Sequence, residues 1–119
     1  MSGGCFSGDS YVKNMKNKIL VENLKKGDLV ECPISGKTTE IVCLIAMPKL
    51  KSRKMVYFIE TGLKITPFHP VNYGFQWAFP SDLVDGVDVV WESVDEVVYN
   101  VLTTGSSLSV NGVVACTGR

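Results

Sequence analysis

The stretch LSVNGVVA, residues 108–115, sets two short apolar runs on either side of Asn111-Gly112. Asparagine and glycine tolerate left-handed backbone, and a two-residue turn of that kind joins antiparallel strands with the natural twist of a sheet. A tight hairpin is expected here. The fold class then depends on whether the rest of the chain reads the same way.

It does. Runs rich in β-branched and aromatic residues predict strands over 18–21, 29–32, 39–46, 55–60, 65–66, 77–79, 87–90, 97–103, 108–110 and 113–115. Glycine turns punctuate them: Lys26-Gly27-Asp28, Ser35-Gly36-Lys37, Thr61-Gly62, Asp85-Gly86 and Thr104-Gly105-Ser106. No stretch holds a 3.6-residue period for three turns, so helix is scarce. Residues 81–84 after Pro80 predict one helical turn with Ser81 as its cap, and 21–24 predict another. Residues 49–54 (KLKSRK) read as a basic loop between two strands. The fold class is all-β, built from many closely spaced strands.

The totals narrow the function. A chain of 119 residues is one domain and can bury a core without staples. Twelve basic residues balance twelve acids, which argues against a nucleic-acid binder. The longest apolar runs are too short to span a membrane, and no charged start leads into an apolar stretch. Ten of the bases lie between Lys13 and Lys54, and six of the acids lie between Asp82 and Glu96. Such clusters form solvated faces or a docking surface for a charged partner. The four cysteines, Cys5, Cys32, Cys43 and Cys116, make no C-x-x-C pair, which speaks against a zinc finger. Reduced thiols and a cytoplasmic, monomeric protein are expected. Cys43, within an apolar run, is expected in the core, and Cys32 at a strand end.

Two residues carry chemistry. His69, the single histidine, lies in Thr66-Pro67-Phe68-His69-Pro70. The two prolines restrict the loop, and Thr66 three residues earlier allows a tight turn to gather hydroxyl and imidazole. An imidazole can donate to a strained carbonyl or give a proton to a leaving amine. Cys5 supplies a thiol nucleophile, and the nearest electrophile is the Gly4 carbonyl one bond upstream. Gly4 tolerates the close approach such an attack needs. The product would be a thioester in place of an amide, so the fold must strain the amide or stabilise the oxyanion.

These residues resemble the Hint superfamily of inteins, hedgehog autoprocessing domains and bacterial intein-like domains. Cys5-Phe6-Ser7-Gly8-Asp9-Ser10-Tyr11-Val12 is similar to the family's opening Cys-Phe-x-Gly-Asp-(Ser/Thr)-x-Val. Val21-Glu22-Asn23-Leu24-Lys25-Lys26-Gly27-Asp28-Leu29-Val30 resembles its (Val/Ile)-x-x-Leu-x-x-Gly-Asp-x-Val segment. Thr66-Pro67-Phe68-His69 matches Thr-x-x-His, and Val98-Tyr99-Asn100-Val101 with Val110-Asn111-Gly112-Val113 resembles the final strands. His69-Pro70-Val71 followed by Trp77-Ala78-Phe79-Pro80 looks most like the eukaryotic branch found beside von Willebrand-type and ubiquitin-like modules.

The resemblance implies a pseudo-twofold, horseshoe-shaped β fold over residues 5–119. It implies an N-to-S acyl shift at the Gly4–Cys5 bond in a single-turnover, autocatalytic reaction that needs no cofactor. Thr66 and His69 are expected to polarise the Gly4 carbonyl and assist the leaving nitrogen, with Asn100 and Cys116 as assisting candidates. Because the family fold brings its ends together, Cys5, His69 and Cys116 are expected to converge, and zinc on those thiolates and imidazole would inhibit. Departures matter as much. No His-Asn pair precedes Cys116, so the Asn cyclisation that completes splicing lacks its residue. The strand stretch 41–47 holds no acid to activate a sterol, unlike hedgehog domains. The acyl acceptor is then external: water, a thiol or an amine.

Residues 1–4 are either the remnant of an upstream junction or residues left by cloning. As Gly3-Gly4 they resemble the tail of a ubiquitin-like protein, which makes such a protein, covalently fused, the expected upstream partner; a downstream module is a second. Two functions stay open: self-processing at the N-terminal junction, and a catalytically silent all-β interaction module with relic Cys5 and His69.

Overall fold

The computed structural model describes residues 4–14, 17–85 and 87–117. Its thirteen strands are β1 (Phe6–Ser7), β2 (Tyr11–Asn14), β3 (Asn17–Leu20), β4 (Leu29–Cys32), β5 (Lys37–Met47), β6 (Arg53–Phe58), β7 (Leu63–Ile65), β8 (Val71–Tyr73), β9 (Gln76–Ala78), β10 (Val89–Val94), β11 (Val98–Thr103), β12 (Ser107–Val110) and β13 (Val113–Cys116). Two short 3-10 turns, Val21–Asn23 and Pro80–Leu83, complete the described elements. The all-β class is the observed one. No helix among the described residues is long and apolar enough to cross a membrane.

A seven-stranded sheet runs in the order β10-β6-β7-β1-β11-β5-β4, and a four-stranded sheet in the order β12-β13-β8-β9. Strands β2 and β3 form a separate pair. Side chains alternate as a half-buried strand requires: Val30 and Cys32 of β4 point inward while Leu29 and Glu31 face out. Phe6, Val12, Ile41, Phe58, Leu63, Ile65, Val71, Val101, Leu108 and Ala115 share one core. The hairpin at 108–115 forms as read, with Val110 paired to Val113 and both Asn111 and Gly112 at positive φ.

Several local expectations are corrected. The turn after Pro80 starts at Pro80 itself, with Phe79 in the cap position and no side-chain cap from Ser81, because the proline ring is already set for the first helical position. The basic loop ends at Ser52. Arg53 and Lys54 enter β6, pairing with Val94 and Ser93, which also carries β10 beyond residue 90. Strands β1, β2 and β8 are short and half polar, so their pairing comes from neighbours and not from pattern. Cys43 is half-buried outside the core, since its position on the long β5 lies where that strand leaves the sheet's covered face.

Candidate active site

Strand β1 is only two residues long and is held on both sides. Phe6 pairs with Ile65 of β7 and with Tyr99 of β11. Carrying both antiparallel registers one residue further sets Cys5 between Thr66 and Asn100. Cys5 is 3% exposed, packed with Met55, Val94 and Val98. The thiol is therefore a buried group and not one on a loose terminus.

Thr66 holds Cys5 by its backbone. The Cys5 N–H donates to Thr66 Oγ1 at 2.9 Å, and the Thr66 hydroxyl donates back to the Cys5 carbonyl at 3.4 Å. The Thr66 N–H adds a third bond to that carbonyl at 3.0 Å. The Cys5 N–H belongs to the Gly4–Cys5 amide, so Thr66 stands on the nitrogen side of that bond. Among the described residues its hydroxyl bonds to Cys5, and neither bond reaches the Gly4 carbonyl.

A tight turn returns the chain from Thr66 to His69, whose N–H donates to the Thr66 carbonyl at 3.3 Å. Pro67 occupies the second position of this turn, where its fixed φ fits. The His69 side chain is 1% exposed. Its Nε2 bonds to the backbone carbonyl of Cys116, at the end of β13. A carbonyl oxygen only accepts, so the neutral ring carries its proton on Nε2 and a lone pair on Nδ1. Among the described residues that buried Nδ1 has no partner. The ring lies directly against Gly4: a Cβ built there would be 2.3 Å from Nδ1. Burial lowers the imidazole pKa, opposed by the Cys116 carbonyl, so the neutral form is favoured.

Arg53 is a residue the sequence did not single out, since it lay in a run of similar basic residues. Burial raises the Cys5 thiol pKa, and the positive charge of Arg53 opposes that rise. Its guanidinium is anchored by a bond to the Pro48 carbonyl at 2.8 Å. Among the described residues its Nε and the Asn100 side-chain oxygen, both buried, have no partner. Cys5, Thr66, His69 and Gly4 are thus brought together; Cys116 contributes its carbonyl, while its Sγ turns to the Thr117 carbonyl at 3.9 Å. Among the described residues no group of three His, Cys, Asp or Glu side chains is placed to hold a metal. The zinc set expected at Cys5, His69 and Cys116 is not assembled in this arrangement.

Cys32, at the end of β4, is a second distinctive thiol. Burial raises its pKa, but bonds from Ser35 and Ser107 outweigh that and bring it down to about 7. It lines a cavity of about 480 Å³ with Tyr11, Lys13 and Gly112; none of Cys5, Thr66 and His69 borders that cavity.

Solved structures share this fold. The DnaB intein from Synechocystis sp. PCC 6803 aligns with a TM-score of 0.74 at 13% identity, covering 98% of this chain and 100% of that one. The gp41-1 intein aligns with a TM-score of 0.72 at 17% identity, over 98% and 100% of the two chains. The Msm DnaB1 intein splicing domain, in a structure bound with zinc, aligns at 0.67 and 13%, over 94% and 99%. No curated protein sequence matches the chain. At these identities the structures establish the Hint fold, and the family assignment comes from sequence: the model of the Vint family, described as a Hint-domain, matches residues 4–118. With a match over nearly its full length and the fold to go with it, the chain belongs to the Vint family of Hint domains.

Proposed function

We propose that this domain cleaves its own N-terminal junction by converting the Gly4–Cys5 amide into a thioester. The observation that carries the reading is the convergence of two groups on one bond. Thr66 Oγ1 accepts from the amide N–H, and the unpartnered Nδ1 of His69 lies against Gly4. In the step, Cys5 Sγ forms a bond to the Gly4 carbonyl carbon and the C–N bond breaks. The thiol proton ends on the Cys5 nitrogen. His69 Nδ1, with its lone pair free, takes that proton and passes it to the nitrogen as the tetrahedral intermediate collapses. Thr66 accepts more strongly from that nitrogen once it is protonated, so its bond favours the transition state over the amide. Arg53 offsets part of the burial that disfavours thiolate.

The acyl group then passes to water, a thiol or an amine from outside the domain; Val114-Ala115, and not a His-Asn pair, stand directly before Cys116, where Asn cyclisation would drive C-terminal cleavage. The Gly-Gly ending supports a ubiquitin-like upstream protein. The test is a precursor with an upstream protein fused at Gly4, followed by mass spectrometry. Release that dithiothreitol accelerates, and that Cys5→Ala abolishes, is expected. Release from the Cys5→Ala precursor would end the thioester reading. A wild-type precursor inert to every nucleophile would leave the silent interaction module.

A further inference from the structure

We propose that His69 restricts the residue before Cys5 to glycine, so that this domain processes only upstream chains that end in glycine. The inference rests on Gly4–Cys5 being the bond that is cleaved. A Cβ built on Gly4 would lie 2.2 Å from His69 Cγ, 2.3 Å from His69 Cβ and 2.3 Å from Nδ1. All three are far inside van der Waals contact, so one of the two residues must move to admit any side chain.

Neither can move freely. The imidazole is fixed at its far end by the Cys116 carbonyl and on its face by Phe6, with ring centroids 4.6 Å apart. It is 1% exposed, and the following Pro70 restricts its backbone. On the other side, Cys5 is held through its N–H and C=O by Thr66, and β1 is paired on both edges. The demand for glycine that the structure shows here is one of space. The same ring that handles the proton therefore reads the acyl residue, and it reads it by exclusion. Any larger residue displaces Nδ1 from the junction along with the ring.

The test compares precursors carrying Gly4, Gly4→Ala and Gly4→Val in release by hydroxylamine. Overpacking a closed site predicts that Gly4→Ala slows release roughly tenfold to a hundredfold, and that Gly4→Val gives none above background. A companion measurement does not depend on activity. The melting temperature of each Gly4 variant is read in the wild-type background and in His69→Ala. Gly4→Ala is expected to lower it in the first and to leave it unchanged in the second, where the ring is gone. Release from Gly4→Ala at the wild-type rate would overturn the proposal. So would an equal thermal loss in both backgrounds. If the Gly4 precursor itself were inert, the cleavage reading would fall while the thermal cycle still decided whether the ring excludes the side chain.

Discussion

At the scale of single residues, the site holds two groups that burial keeps neutral. The usual imidazole pKa of 6.5 is lowered in His69 by burial. A group whose folded pKa is depressed contributes stability that is present above the unfolded value and lost as pH falls through the folded one. Unfolding measured between pH 7 and pH 4 is expected to show an acid limb beginning below 6.5 that His69→Gln removes. In precursor cleavage, His69→Ala is expected to slow release by roughly two to four powers of ten, the range for proton-transfer assistance, and Thr66→Ala by less. Equal rates for wild type and His69→Ala would remove the ring from the mechanism. Arg53→Gln removes the charge that opposes the raised Cys5 pKa. Its cleavage at pH 7 should fall by roughly tenfold and recover as pH rises. A loss that stayed constant across pH would assign Arg53 a packing role instead.

Among the elements, β1 and the β12–β13 hairpin do the positioning. Phe6 is fully buried between β7 and β11 and also packs on His69. Phe6→Ala is expected to cost about 3–5 kcal/mol in urea unfolding, the usual range for emptying an aromatic core position. The hairpin is tied to the rest of the molecule through its turn. Asn111 Oδ1 accepts from the Tyr11 N–H at 2.8 Å, and its Nδ2 donates to the Thr61 carbonyl at 3.0 Å. Asn111 was expected from sequence only as a turn residue; the structure makes it a clamp between β2, β12 and the turn before β7. Asn111→Gly keeps the left-handed turn and deletes both bonds. It is expected to cost about 2 kcal/mol, since two largely buried backbone groups lose their partner. A neutral substitution in the same unfolding assay would show that the turn alone matters.

Across the whole molecule, the two ends of the described chain meet at one side chain. Gly4 rests on the His69 ring and Cys116 accepts from its Nε2, although β1 and β13 belong to different sheets. The Thr66-to-His69 turn and Pro70 connect the two sheets, from β7 to β8, and the Cys116 N–H bonds to the Pro70 carbonyl at 3.0 Å. In the proposed reaction the acyl group of the thioester passes to an external nucleophile. Incubation with dithiothreitol, hydroxylamine or a lysine peptide is therefore expected to add the matching mass to the released fragment. Transfer to the lysine peptide should rise with pH, because an amine with a pKa near 10.4 is mostly protonated at neutrality. A fragment that always carries a plain carboxylate, at a rate indifferent to the nucleophile, would mean direct hydrolysis.

The all-β class and the hairpin at Asn111-Gly112 were legible in the sequence, and so was the tight turn that joins Thr66 to His69. Strand alternation and turn residues are local signals, and local sterics produce them. The two-residue β1 had no such signal, because a strand that short exists only through β7 and β11. Thr66 could be placed near the junction, but which side of the amide it meets depends on the register of β1 against β7. Arg53 was hidden among basic residues until the pairing of β6 with β10 drew it out of the loop. The fit of the His69 ring against Gly4 joins positions 65 residues apart. No propensity or spacing encodes it, because only close packing in three dimensions decides which atoms share a space.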